Sequence, residues 1–258
     1  MLFPTVTFAV FFLIVLPVSW SLMRHQSIWR LFILAASFVF YAWWDWRFVF
    51  LLAASIVVNH VLAVAIYRAH GVRARKGLLA LALLFDLGML GYFKYAGFLV
   101  SSAENALSRV GLPSSSFALS VTLPIGISFF TFMALSYVID VYRGELEPVD
   151  FPRFAVYLSF FPHLVAGPIV RGSELLPQLE RPRNAGRVNA TRAYFLILSG
   201  LFFKVVIANQ LSTHLVDAVF AAPDRHSSLE VLFAVYGYAV QMFADFMGYT
   251  NIAIGVAL

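Results

Sequence analysis

Four residues near the end of this 258-residue chain have the spacing of a working helix face. Gln241, Asp245, Gly248 and Tyr249 fall at i, i+4, i+7 and i+8, so they share one side of a helix. An apolar helix with one polar stripe turns that stripe toward protein or a water-filled cavity. Two readings fit the spacing equally. One is a hydrogen-bonded seam between helices. The other is the wall of a substrate or donor channel. Ionisable groups at membrane depth are costly and often functional, which singles out Asp245. Lys204 belongs to the same class of residue. It sits in the apolar run 201–207, about three turns into its helix, where it could also snorkel to the headgroups.

Other candidates carry weaker signals. His214 and Asp217 lie at i, i+3, the spacing of a base and its orienter, but near a span end, where a solvated pair is the simpler reading. Asp140 and Arg143 have the same spacing, with an interfacial ion pair as the default. His163 lies in the broken stretch between Pro162 and Gly167. It could act in catalysis or bind a headgroup, or it could be a neutral histidine bonded to freed backbone carbonyls. Asn59, His60 and Asp86 each look isolated in their spans. The six histidines are scattered and not paired at metal-binding spacing, so no metal site is expected. There is no phosphate-cradling glycine loop. Gly126-Ile127-Ser128 runs into Phe129 and is no hydrolase elbow.

The elements that position these residues follow from composition. Hydrophobic residues make up 61% of the chain and charged residues 12%, half the usual share for a soluble domain. Mean hydropathy is +0.84. Apolar stretches of roughly twenty residues, the length that crosses a bilayer, separate short charged clusters. This predicts an all-α, polytopic membrane helix bundle. Soluble enzymes, disordered segments and coiled coils are excluded. The absence of cysteine removes disulfides and thiolate chemistry. The net charge of +5 is explained by topology, so no nucleic-acid partner is expected.

About seven spans are expected, near 3–22, 29–44, 46–67, 77–100, 117–142, 192–220 and 229–258. The first is read as retained, because no basic residue precedes it and no small-residue cleavage site follows. Tyr41 to Arg47 and Gly91 to Tyr95 read as aromatic interface turns. Loop 68–76 carries Arg68, Arg73, Arg75 and Lys76 without an acid, which fixes it inside and the N-terminus outside. Loop 171–192 holds Arg171, Arg181, Arg183, Arg187 and Arg192 against two glutamates and should also be inside. That conflicts with a full crossing by 153–170. Pro162, Pro168 and Gly167 break helical bonding there, so a re-entrant hairpin is expected.

Several stretches together resemble the membrane-bound O-acyltransferase family, in its polysaccharide-modifying branch. They are Tyr41 to Trp44, Gly91 to Ala96, Leu123 to Phe129, Ser136 to Gly144, Phe161 to Arg171 and Asp245 to Gly255. They occur in the family's order from about the first residue to the last. The resemblance implies an enzyme of the bacterial inner membrane with a funnel through the bilayer. It moves an acyl group, acetyl by family, from a thioester donor to an exported polysaccharide, as in alginate biosynthesis. The donor is acetyl-CoA or a carrier-bound acyl group, and no cofactor is bound. Membrane lipids surround the helices, and a periplasmic partner protein helps reach the acceptor. Gln241, Asp245, Tyr249, Asn251, His163, Lys204 and Arg171 become candidate channel or substrate-binding residues.

The family's histidine motifs follow the Asp-Phe-x-Gly-Tyr segment at a distance. None of His25, His60, His70, His163, His214 or His226 lies in a matching stretch. The resemblance therefore implies a single membrane domain, 1–258, that is the N-terminal part of a longer acyltransferase. Its catalytic histidine is expected beyond Leu258, and the chain alone is expected to be inactive. Relatives commonly carry serine at Met247 and aspartate at Asn209 and Asn251. A non-enzymatic scaffold with the family's helices, and a small transporter or lipid-binding protein using the Asp245 stripe, are the alternatives.

Overall fold

The structure, a computed structural model, describes residues 1, 3–109, 122–165, 167–181 and 188–258. Among these residues it is helical throughout, with no strand. The helices are α1 (Val6–Leu22), α2 (Gln26–Ala42), α3 (Arg47–Arg68), α4 (Val72–Leu90), α5 (Ala96–Arg109), α6 (Ile127–Arg143), α7 (Phe151–Ser159), α8 (Phe161–Leu164), α9 (Gly172–Glu180), α10 (Ala190–Leu201), α11 (Asn209–Leu211), α12 (Asp217–Ala221) and α13 (Ser228–Ala257). Wider π-helical turns at Gly91–Tyr95, Phe202–Ala208 and Ser212–Val216 join α4 to α5, α10 to α11 and α11 to α12.

Four continuous helical stretches are long and apolar enough to cross a membrane: Arg47–Arg68, Val72–Arg109, Ala190–Ala221 and Ser228–Ala257. α1 and α2 are apolar but shorter. The expected span 77–100 is longer than predicted. Its helix runs on to Arg109, because Ser101 to Arg109 contains no glycine or proline to stop it. The 38-residue stretch is about 57 Å long, well beyond the ~30 Å hydrocarbon core. The expected span 117–142 begins later, at Ile127, and its part before residue 122 lies outside the described residues.

The stretch 153–170 is not one helix. α7 ends at Ser159, Phe160 leaves helical geometry at ψ 110°, and α8 is a single turn. Nine residues of α7 cover about 14 Å, too short to cross as a helix.

The chain packs as two compact units. The first contains Met1–Ala36, Phe161–Pro168 and the described part of Pro182–Leu258. α13 is its spine. Ser227 and Glu230 form a capping box that starts this helix. α10 and the π turn after it run along α13 at very close range. A Cβ at Gly248 would lie 2.8 Å from the Gly200 carbonyl oxygen and 2.9 Å from the Lys204 nitrogen. Only glycine lets the two backbones approach so closely.

The second unit contains Ser37–Phe160 and Ile169–Arg181. α3, α4 and α6 pack together in it, joined by α7 and α9. Its core holds Phe40, Leu52, Ile56, Phe130, Tyr137, Phe154 and Tyr157, all fully buried. The single Tyr157 O–H is shared between the carbonyls of Met133 (3.2 Å) and Val170 (3.0 Å), tying α6, α7 and the extended approach to α9 together. Gly144 ends α6 in the left-handed conformation, φ 78°. Asp45 receives the Arg47 side chain and backbone in the short turn before α3. The Arg47 hydrogen bonds hold its carboxyl below the usual carboxylate range.

Candidate functional site

The polar stripe of α13 meets a charge. Lys204, carried by the Phe202–Ala208 π turn, forms an ion pair with Asp245 Oδ1. Its ammonium also lies over the Tyr249 ring, 5.2 Å from the centroid. Where the sequence offered snorkelling for Lys204, the structure gives it a carboxylate partner. A carboxylate on the adjacent helix compensates the charge at its own depth, so the stem does not need to reach the headgroups. The π turn puts one extra residue into the helix, which re-aims the side chains that follow. Gly200 and Gly248 supply the close approach that brings Lys204 within reach of Asp245.

The pair is not sealed. The Lys204 side chain is 20% exposed and that of Asp245 40%. A sealed pair would be an internal staple only. This one presents charged atoms to whatever occupies the space beside α13. One turn earlier, Gln241 Oε1 is buried and makes no hydrogen bond among the described residues. Its unused acceptor extends the polar stripe. Tyr249 also meets the Phe3 ring, centroids 6.1 Å apart.

The remaining predicted residues are distributed differently. Asn251 is buried and its amide points toward Ser199 Oγ at 3.4 Å, so it faces the α10 seam. His163 is buried in α8. The nearby Gly167 turn packs on α13, since a Cβ there would lie 3.4 Å from Ala253 Cβ and 3.8 Å from His163 Cβ. Ala253 is about 12 Å along the helix axis from Asp245. Arg171 belongs to the second unit, where it precedes α9 and interacts electrostatically with Asp140.

Two sequence pairings are corrected. Asp217 accepts from Ser212 Oγ (2.5 Å), and no bond to His214 occurs among the described residues. The π turn Ser212–Val216 changes the side-chain spacing that an α-helix would impose. Arg143 makes its direct ion pair with Glu145 (3.9 Å), while Asp140, buried at the end of α6, keeps an electrostatic interaction with Arg143 as well as with Arg171. The chain reverses at Gly144, which brings Glu145 back toward Arg143.

One polar group escaped sequence reasoning. Asn59 Nδ2 donates to Asp86 Oδ1 (2.9 Å) and to the Ser55 carbonyl (3.0 Å), with both Asn59 and Asp86 fully buried. Each residue looks isolated within its own helix, and the bond crosses the α3–α4 hairpin between a position nine residues before the end of α3 and one fourteen residues after the start of α4. Among the described residues, no group of three or more histidines and acids is arranged to hold a metal.

No family model matches the chain. Among curated proteins, it is 37% identical to "Probable alginate O-acetylase AlgI" of Pseudomonas aeruginosa over 256 residues, 96% of this chain and 48% of that one. It is 31% identical to "Peptidoglycan O-acetyltransferase" of Helicobacter pylori, over 89% of this chain and 47% of that one. It is 24% identical to "Teichoic acid D-alanyltransferase" of Lacticaseibacillus rhamnosus, over 74% of this chain and 57% of that one. The chain thus spans about half the length of the curated relatives it matches.

Proposed function

The chain belongs to the membrane-bound O-acyltransferase family, and on that premise we propose that its protein transfers an acyl group to hydroxyls of an exported polysaccharide. Acetyl is the proposed group, since the alginate and peptidoglycan relatives are named for O-acetyl transfer. A thioester, acetyl-CoA or a carrier-bound acyl group, is the proposed donor. In this reading the protein sits in the bacterial inner membrane with its N-terminus outside, and a periplasmic partner delivers the polymer.

The observation that carries this reading is the Lys204–Asp245–Tyr249 cluster at the depth of two membrane-length helices. Acyl transfer passes polar groups through an apolar layer. It needs a base for the attacking hydroxyl and donors for the developing oxyanion. In this proposal the cluster lines the path. The Lys204 ammonium has three donors, and Asp245 occupies only part of their capacity. The remainder can hold a carbonyl or phosphate oxygen. Asp245 orients Lys204, and the Tyr249 ring limits where the ammonium can swing. Gln241 adds an acceptor along the same face. The general base is assigned to a histidine outside these 258 residues, and neither Lys204 nor Asp245 is proposed to take the proton.

The test uses the whole protein in its producing cells. Lys204→Met and Asp245→Asn should each lower the O-acetyl ester content of the polymer about tenfold or more. Protein in the membrane fraction should stay within about twofold of wild type, because only a partly exposed pair is lost. Full acetylation by either variant would remove the cluster from the path.

A further inference from the structure

The second unit holds a cavity of about 300 Å³ that the acyl-transfer reading does not use. It is lined by His60, Tyr67 and Arg68 of α3 and by Glu147, Pro148 and Asp150 of the segment between α6 and α7. That volume is at the lower end for small-ligand sites. Its position follows from α3. This membrane-length helix ends at Arg68, which on the proposed topology puts Arg68 and Tyr67 at headgroup level. His60 lies about 12 Å deeper along the axis.

The charges are specific. Arg68 makes no ion pair among the described residues. Asp150 is matched by Arg153, which also binds Glu180. Among the described residues Glu147 has the Tyr67 hydroxyl alone, at 3.3 Å. The rim therefore offers one unmatched cation and one unmatched carboxylate. No ion pair joins them among the described residues, and both side chains are exposed. The floor is different in kind. The His60 ring meets Phe151 (centroids 5.3 Å), and its buried Nδ1 makes no hydrogen bond among the described residues. The wall is held firm, since the Val149 N–H donates to the Tyr137 hydroxyl at 3.1 Å and Pro148 fixes the adjoining turn.

A simple anion would meet Glu147, and a simple cation would meet Arg68. A ligand carrying a phosphate and a primary ammonium satisfies both. We propose that this cavity binds the phosphoethanolamine headgroup of a phospholipid from the leaflet that meets the Arg68 end of α3. The phosphate sits on Arg68, where a guanidinium can bond two oxygens. The ammonium donates to Glu147. The His60 ring closes the inner end of the cavity. A trimethylammonium group has no N–H to give Glu147, and a phosphoglycerol headgroup has no cation.

The experiment is native mass spectrometry of the full-length protein in detergent. Phosphatidylethanolamine, phosphatidylcholine and phosphatidylglycerol with identical acyl chains are offered in equal amounts. One phosphatidylethanolamine per chain should be retained, about tenfold or more over the other two. Glu147→Gln and Arg68→Gln should each reduce retention by a similar factor, and Lys76→Gln should not. Soluble glycerophosphoethanolamine at the same concentration should fail to displace the lipid. Equal or better retention of phosphatidylglycerol, or unchanged retention in Glu147→Gln, would overturn the proposal. So would displacement by the soluble headgroup, which would make the ligand a free phosphoethanolamine compound. Should a variant fail to fold, the lipid ranking on the unaltered protein decides alone.

Discussion

A lysine or aspartate at the centre of a membrane helix costs about 2.5–3.5 kcal/mol on insertion scales. Lys204 and Asp245 share that cost by pairing, and their partial exposure leaves them accessible to a third group. Breaking a fully buried pair costs about 3–5 kcal/mol. This half-open pair should cost less, about 1–2 kcal/mol, so Asp245→Ala should lower transfer activity far more than it lowers the amount of folded protein. Quantitative immunoblotting beside ester content reads the two effects separately. Asn59 has the opposite character. It is fully buried against Asp86 and faces no opening. Asn59→Ala leaves a buried carboxyl oxygen without its donor, which should destabilise by about 1–3 kcal/mol. A clear drop in the detergent unfolding temperature is expected, and specific activity per folded molecule should be unchanged.

Helix positions in this protein are set by a few glycines as much as by apolar surface. A Cβ at Gly248 would meet the Gly200 carbonyl and the Lys204 backbone, neither of which can rotate away. Gly248→Ala should push α13 off the π turn and cost about 1–3 kcal/mol. Gly88 of α4 has nothing within 4 Å of a Cβ, so Gly88→Ala should be neutral or stabilising by up to about 1 kcal/mol. Unfolding temperatures of the two variants, compared side by side, check this. The same elements show what could be read in advance. The helices Arg47–Arg68, Ala190–Ala221 and Ser228–Ala257 match their predicted spans closely, because length and hydropathy determine them. The break at Phe160 was visible in Pro162 and Gly167. The π turns were not, since an inserted residue leaves no hydropathy signature. The Lys204–Asp245 pair was half legible for that reason. Periodicity found the Asp245 face, but its partner is on another helix and turns inward through the π turn. Asn59 and Asp86 were missed because each was judged within its own helix.

At the scale of the whole molecule, the charge pattern makes a topological prediction. These 258 residues contain no cysteine, so a labelled peptide from among them reports the introduced thiol alone. Arg73→Cys and Arg192→Cys should both be shielded from a membrane-impermeant maleimide in intact cells and be labelled after permeabilisation. Labelling of the Arg192 position from outside would mean that the segment before α10 is exported and that the 153–170 region crosses. The functional claim is that Lys204 and Asp245 serve the acyl path and do more than hold α10 to α13. It is tested most directly by replacing both with apolar residues. Lys204→Met with Asp245→Leu removes both charges at once, so it should restore the stability lost by either single change. The decisive measurement is the O-acetyl transfer rate of that double variant in the full-length protein, normalised to folded protein. The account predicts wild-type stability with transfer reduced about tenfold or more. Wild-type stability with wild-type transfer would contradict it and leave the pair as a structural seam.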